Sequence, residues 1–260
     1  MSSGEVRIEV DGALAVLTVS RPEKRNALDL DMLKALAGAA DRIEADARIR
    51  VAILTGEGPG FSAGGDISAW GGMRPEEFGH GWVRYGHRVF ERLATLRMPL
   101  IAALNGHALG GGLELAGIAD IRIAEEQIRI GLPETGLGMV PGWSGTQRLV
   151  KRFGAQPVRR MALGGEIFTA REALALGLVD QVAGTGEAVS AAREMAQRIA
   201  TRGPAALEIV KLMIASASGE DNGTAVEALG SILAAKTGDL KEGVSAFRDK
   251  RPAQFKGEWS

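Results

Sequence analysis

Leu100-Ile-Ala-Ala-Leu-Asn-Gly-His-Ala-Leu-Gly-Gly-Gly-Leu-Glu-Leu-Ala116 passes from a strand to a helix through glycine. The apolar run after Pro99 reads as a buried strand. Asn105-Gly106 breaks it with turn chemistry, and Leu113-Glu114-Leu115-Ala116 reads as a helix. Gly110, Gly111 and Gly112 stand between them. Each glycine costs backbone entropy on ordering, so three in succession need a reason. One reason is a ligand: bare backbone admits close approach, and a helix that begins in glycine aims free N–H groups and its positive end at what approaches. The other is close packing of strand on helix. From this stretch alone the two readings stand level.

Outward from it, the chain alternates strands and helices. Val6–Val10 and Ala13–Val19 read as strands joined at Asp11-Gly12, a hairpin signal. Arg21–Leu28 is a loop with three basic residues near a proline. Asp29 can cap a helix whose apolar positions are Leu33, Leu36, Ala40 and Ile43. Arg50–Thr55 reads as a buried strand, and Gly56–Gly65 as a glycine-rich loop. Pro75–Arg97 is helix-compatible. After the central stretch, 120–124 and 127–130 read as short strands and Leu132–Gly142 as a partly apolar loop. Helices are expected over 147–153, 158–163 and 170–176, and a last strand over 178–182. From Gly186 the signal is helical: 187–201, 204–216, 222–236 and 239–248. The pattern is a recurring coarse ββα unit, with a core over 1–200 and a helical region over 201–260.

Composition narrows the function. The 260 residues carry a net charge of -1, which gives no reason to expect nucleic acid or an anionic membrane as a partner. There is no cysteine, which excludes disulfides, thiolate metal sites and cysteine nucleophiles. With three histidines (His80, His87, His107) a histidine-rich metal site is not expected. Met1-Ser-Ser-Gly-Glu-Val lacks the basic and apolar regions of a secretory signal, and no apolar run reaches membrane-spanning length. The reading is of a soluble, cytoplasmic protein.

Two patterns carry chemistry. Ala63-Gly64-Gly65-Asp66 and Gly110-Gly111-Gly112 each follow an apolar strand and precede a helix-compatible segment. Two such strand ends side by side aim two backbone N–H groups at one oxygen, an oxyanion hole for a carbonyl that gains negative charge. The second pattern is Glu114, between Leu113 and Leu115, with Glu134, in the apolar loop Gly-Leu-Pro-Glu-Thr-Gly-Leu-Gly-Met-Val. A carboxylate in apolar company is costly unless paired or used, and desolvation raises its pKa toward acid–base duty. Two at one site suit general acid–base chemistry on a water or a carbon acid. The plainer reading is that Glu114 favours a helix N-terminus and Glu134 is exposed.

Other motifs fail. Gly60-Phe-Ser-Ala-Gly64 matches the G-x-S-x-G nucleophile elbow, but Gly56–Gly60 separates it from its strand by too much for a sharp elbow. His107, a formal partner, is expected to point into packing. No phosphate-binding G-x-x-x-x-G-K-[ST] occurs, and Leu115 stands where a Rossmann turn needs glycine. Lys24, Arg25 and the tail Phe247–Pro252 can hold phosphates or simply be solvated.

Together these residues resemble the crotonase (enoyl-CoA hydratase/isomerase) superfamily over nearly the whole chain. The resemblance rests on Arg21-Pro22 with Asn26-Ala27-Leu28, Phe61–Ile67, Asn105–Glu114, Ala119–Ala124, Leu132-Pro-Glu134, Gly145–Leu149 and Phe247–Arg251. It implies an α/β fold, a crotonase-like spiral of ββα units in two roughly perpendicular sheets. It implies a C-terminal helical region that makes a homotrimer or a dimer of trimers. It also implies a coenzyme A thioester as substrate, no separate cofactor and no metal. The N–H groups of Gly65 and Gly111 would form the oxyanion hole. Arg25, Ala27, Leu28, Ser62, Ala63, Asp66 and Ile67 would border the CoA path. Phe247 and Lys250 match tail positions that reach CoA, sometimes from a neighbouring subunit. Glu114 and Glu134 match the hydratase pair, which implies syn addition of water to a trans-2-enoyl-CoA.

Two departures bear on substrate. Pro141-Gly-Trp-Ser-Gly145 replaces a more glycine-rich family segment, so Trp143 and Ser144 stand beside the expected acyl pocket. Ser68–Arg88, with Trp70, Trp82 and Tyr85, occupies the family's variable acyl-pocket region. The rival readings are an enoyl-CoA isomerase, a dehydratase of a functionalised acyl-CoA or a hydratase of a branched substrate on the same fold, a serine hydrolase using Ser62, and a non-catalytic or RNA-binding homologue. An isomerase needs one proton-shuttling carboxylate, and both are present. The neutral charge and the lack of a basic-aromatic stripe speak against RNA.

Overall fold

A computed structural model describes residues 4–220 and 223–257, the side chains of 224 and 225 excepted. The readings placed on residues 1–3, on 222 and on 258–260 lie outside the described residues. Nine strands form a mixed α/β fold with two sheets among the described residues. In chain order they are β1 (Glu5–Asp11), β2 (Leu14–Ser20), β3 (Val51–Gly56), β4 (Leu100–Leu104), β5 (Ala108–Leu109), β6 (Ile121–Glu125), β7 (Arg129–Gly131), β8 (Ile167–Thr169) and β9 (Gln181–Ala183). The helices are α1 (Leu30–Ala45), α2 (Ile67–Trp70), α3 (Arg84–Ala94), α4 (Gly111–Ala116), α5 (Arg148–Phe153), α6 (Ala155–Ala162), α7 (Ala170–Ala175), α8 (Ala188–Ala200), α9 (Pro204–Ala217), α10 (Thr224–Ala235) and α11 (Gly238–Arg248).

The larger sheet runs β1-β2-β3-β4-β6-β9. Its β1–β2 hairpin is antiparallel, as Asp11-Gly12 with Gly12 at φ 57° permits. From β2 onward the pairing is parallel. Parallel strands are covered on both faces, which explains their unbroken apolar runs. Ile53, Ile101, Ala103 and Ile123 share one cluster with Ala188, Ala192 and Ala196 of α8. Their neighbours Ala52, Leu54, Leu100, Ala102 and Leu104 belong to the larger cluster on the other face, with residues of α1 and α3. The period-2 alternation of a strand makes this division.

The smaller sheet, β5-β7-β8, departs from the sequence reading. β5 and β8 carry no strand reading in the sequence: Ala108-Leu109 lies between Gly106 and Gly110, and Ile167–Thr169 directly precedes the helix read over 170–176. The strand expected over 178–182 is confined to β9. Gly177 is left-handed at φ 71°, and the N–H groups of Leu178 and Val179 turn back to the Ala173 carbonyl, so pairing begins later. Within Pro75–Arg97, a π-helical turn over Glu77–Val83 precedes α3.

The chain divides into two compact units, Met1–Glu208 and Ile209–Ser260. The first holds both sheets. The second holds the end of α9 with α10 and α11, and exposes Met213, Ile214, Leu233, Val244 and Phe247. Among the described residues no helix is long and apolar enough to cross a membrane.

Candidate active site

The central stretch leaves the larger sheet at the end of β4 and enters the smaller one at β5. Asn105 governs the crossing. Its Nδ2 donates to the Gly56 and Gly58 carbonyls at 2.8 Å, and its Oδ1 accepts from the Gly56 N–H at 3.1 Å. Asn26 holds the same loop from the other side. It is fully buried at φ 56°, its Nδ2 donates to the Glu57 and Gly60 carbonyls at 3.0 and 2.7 Å, and its Oδ1 accepts from the Arg21 N–H at 2.8 Å. Two asparagines, Asn26 buried and Asn105 half-buried, thus brace the segment that leads to Gly65. Side-chain amides can satisfy backbone donors and acceptors together where no strand continues.

Beyond this brace the two glycine loops lie backbone against backbone. A Cβ on Gly64, which has φ 82°, would stand 2.7 Å from the Gly111 nitrogen. A Cβ on Gly112 would collide with the Ser62 carbonyl. Gly110 adopts φ 55° and ψ -126°, a conformation open to glycine. Both reasons for the triple glycine therefore apply: close packing, and access to backbone donors. Among the described residues neither the Gly65 N–H nor the Gly111 N–H donates to a protein acceptor, and Gly111 opens α4, where no preceding turn can take its proton.

These glycines line a cleft of about 680 Å³ together with Glu114 and Glu134. Glu114 is buried on α4, and its Oε1 accepts from the N–H groups of Trp143 and Gly145 at 2.7 and 2.6 Å. Burial pushes its pKa up to about 7, the charge of Glu134 adds to the rise, and the backbone donors oppose it. Glu134 follows Pro133 at the start of a 3-10 turn. Both its carboxylate oxygens are shielded from solvent and without a hydrogen-bond partner among the described residues. Burial raises its pKa as well. The plainer reading of an exposed Glu134 is overturned by the Pro133 and Leu137 walls of the cleft around it.

The roof is aromatic. Trp143 stacks near Trp82 and Phe90, with ring centroids 5.4 and 5.1 Å away. It also lies over glycine: a Cβ on Gly111 would be 3.0 Å from its ring, and one on Gly86 would be 2.5 Å from Cε2. Gly86, on α3, is the notch that admits this indole, and nothing local in the sequence marks it.

Of the expected site residues, Ala63, Gly65, Ile67, Trp82, Gly111, Glu114, Glu134 and Trp143 come together in the cleft. Arg25 is not among the residues lining the cleft; it is exposed, at φ 52°. Ala27 and Leu28 are buried, with the Leu28 N–H donating to the Gly64 carbonyl. Asp66 caps α2 and pairs with Arg21 at 2.9 Å. Phe247, on α11, and Lys250, at φ 52°, belong to the second unit.

Ser62 is no nucleophile. Its Oγ donates to the Asn26 carbonyl at 2.9 Å and accepts from the Gly64 N–H at 3.2 Å, in a site 1% exposed. His107 does not point into packing either: it is exposed, and its Nδ1 accepts from the Arg129 N–H at 3.0 Å. His87 Nδ1 lies 3.3 Å from Ser144 Oγ.

Residues 9–258 match the family model described as enoyl-CoA hydratase/isomerase. A short-chain-enoyl-CoA hydratase of Clostridium acetobutylicum is 40% identical, over 96% of this chain and 97% of that one. A crotonyl-CoA hydratase of Syntrophomonas wolfei is 36% identical, over 98% and 99%. The crystal structure of an enoyl-CoA hydratase from Bacillus anthracis superposes with a TM-score of 0.81 at 34% identity, covering 98% of this chain and all of that one (100%). The expected spiral fold is thereby shared with solved enoyl-CoA hydratases, and this chain belongs to the enoyl-CoA hydratase/isomerase family.

Proposed function

We propose that the protein is an enoyl-CoA hydratase, a hydro-lyase that adds water reversibly to a trans-2-enoyl-CoA thioester with syn geometry. One observation carries this reading. Two carboxyl groups with raised pKa values line the same cleft as two backbone N–H groups that have no acceptor among the described residues. The relatives named for short-chain-enoyl-CoA and crotonyl-CoA hydration support it.

In the proposed reaction the thioester oxygen accepts from the Gly65 and Gly111 N–H groups, which stabilise the enolate-like charge. Water lies between the two carboxyl groups. Glu114 assists the attack of the water oxygen on the β-carbon, the carboxyl pair takes up the water's proton, and Glu134 delivers a proton to the α-carbon. One proton shared by the pair makes one base and one acid, so the two titrate as a unit. An isomerase would need only one of them. Coenzyme A enters as part of the substrate, and no separate cofactor is required.

The pantetheine and adenine would follow the segments holding Arg25, Ala27, Leu28, Ser62, Ala63, Asp66 and Ile67. Trp82 and Trp143 would bound the acyl group. Phe247, 86% exposed, and Lys250 would reach CoA in a homotrimer or dimer of trimers. The exposed apolar side chains of the second unit support such an assembly.

The test is hydration of crotonyl-CoA, followed by loss of the conjugated thioester's ultraviolet absorbance. Rapid loss with wild type and a large drop in Glu114→Gln and Glu134→Gln are expected. No loss with wild type would overturn the proposal.

A further inference from the structure

The cleft is lined by cationic side chains that the hydration chemistry does not use. Arg84, His87 and Arg88 lie at i, i+3 and i+4 on α3, which puts them on one helix face. All three line the cleft that holds Glu114 and Glu134, as does Gln147. Among the described residues neither Arg84 nor Arg88 has a carboxylate partner; Arg88 only stacks over the Tyr85 ring at 5.6 Å. The nearest carboxylate further along the helix, Glu91, is engaged by Arg148.

Position separates this cluster from the segments expected to hold CoA. The 24–28 loop packs on 63–68: the Ala63 N–H donates to the Arg25 carbonyl, the Leu28 N–H to the Gly64 carbonyl, and Lys24 Nζ lies 3.4 Å from Ser68 Oγ. The cationic helix face adjoins the other wall. His87 is 3.3 Å from Ser144, which stands between the two residues whose N–H groups hold Glu114. A Cβ on Gly142 would be 3.6 Å from the Val83 methyls. A thioester carbonyl on Gly65 and Gly111 therefore has the 24–28 loop on one side. Its other neighbours in the cleft are the two glutamates and the face of α3 that carries Arg84, His87 and Arg88.

We infer that the acyl pocket takes a short 2-enoyl group ending in a carboxylate, which Arg84 and Arg88 bind. This inference rests on the hydratase reading and names its substrate class. A planar guanidinium is always charged and matches a carboxylate fork. An acyl tail that ends in a methyl group leaves both cations without a function in the cleft. An anionic tail also shares the cleft with two acidic groups, and the two cations lining it supply the opposing charge.

The experiment is calorimetric titration of the full chain with butyryl-CoA and glutaryl-CoA. These saturated thioesters do not react, and one ends in a methyl group, the other in a carboxylate. Glutaryl-CoA is expected to bind at least about tenfold tighter, as charge-assisted hydrogen bonds provide. The margin is expected to narrow with added salt. The exposed pair Arg84→Gln/Arg88→Gln is expected to bring the ratio of the two affinities to about one. Equal or weaker binding of glutaryl-CoA overturns the inference, as does a ratio the double variant leaves in place. Equal weakening of both thioesters would assign the arginines to the CoA phosphates and overturn it too. Crotonyl-CoA hydration is run alongside. Glutaryl-CoA preference without any hydration sinks the hydratase reading alone, and hydration without the preference sinks this inference alone.

Discussion

Trp143 holds Glu114 with its backbone while its indole covers the glycine beside it. The Trp143 N–H donates to Glu114 Oε1 at 2.7 Å, and the ring lies against Gly111. One residue thus positions the acid–base group and bounds the space in which it works. Trp143→Ala keeps the N–H and removes the ring. The expected result is a loss of about 3–5 kcal/mol of stability, as for other buried tryptophans, with activity retained on crotonyl-CoA and extended to bulkier thioesters. A denaturant melt and a substrate series measure both effects.

Glu114→Gln and Glu134→Gln are each expected to lower kcat by roughly 10² to 10⁴, the usual contribution of a general acid or base. Because the pair acts as a unit, the double variant is expected to lose little more than the worse single. Additive losses in crotonyl-CoA hydration would contradict a shared proton.

Gly145→Ala tests the clamp on Glu114. The new methyl would lie 2.8 Å from Glu114 Oε1 and 2.6 Å from the Pro141 Cβ. A displaced carboxylate costs on the order of 100-fold in rate for about 1 Å. The expected outcome is a kcat loss approaching that of Glu114→Gln, measured with the same absorbance assay, in a protein whose far-ultraviolet dichroism is unchanged.

Gly86→Ala places a methyl inside the Trp143 indole, 2.5 Å from Cε2. It should destabilise the wild type even though alanine favours a helix over glycine by about 1 kcal/mol. In the Trp143→Ala background the clash is gone, and Gly86→Ala should stabilise by about that amount. A double-mutant cycle in urea reads the reversal of sign; two destabilisations of equal size would remove the notch from the account.

Burial raises the Glu114 pKa from 4.5 to about 7. Between pH 4.5 and about 7 the folded protein therefore keeps a proton that the unfolded chain has released. Its stability falls as pH rises through that window, and the penalty is complete above it. The full penalty is roughly 3 kcal/mol. Glutamine carries no such penalty, so Glu114→Gln should gain on wild type by that amount between about pH 4 and about pH 8 in urea unfolding. A pH-independent difference would mean that Glu114 ionises normally.

Much of the fold was legible because parallel strands buried on both faces are apolar without interruption. Leu100–Leu104 and Val51–Gly56 carry that signature, and the helices follow from their period and caps, as Asp29 shows by accepting from the Met32 N–H at 2.9 Å. The glycine loops and the two glutamates were legible because each is anomalous in its own neighbourhood. Glycines crowd a strand end, and carboxylates sit among apolar residues.

Contacts distant in sequence were not legible. Gly86 and Trp143, and the brace of Asn26 on Glu57 and Gly60, join segments that share no local pattern. The spacing of its motif already spoke against Ser62 as a nucleophile; which neighbours consume both sides of its hydroxyl was settled only by the fold. Element order, candidate donors and candidate carboxylates were all readable along the chain, since periodicity, turn chemistry and local polarity are short-range. Tertiary structure alone decided that Gly65 and Gly111 face one cleft, that Glu114 is held near neutrality, and that arginines share its space. Those properties depend on which surfaces exclude water together, and only the docking of distant segments settles that.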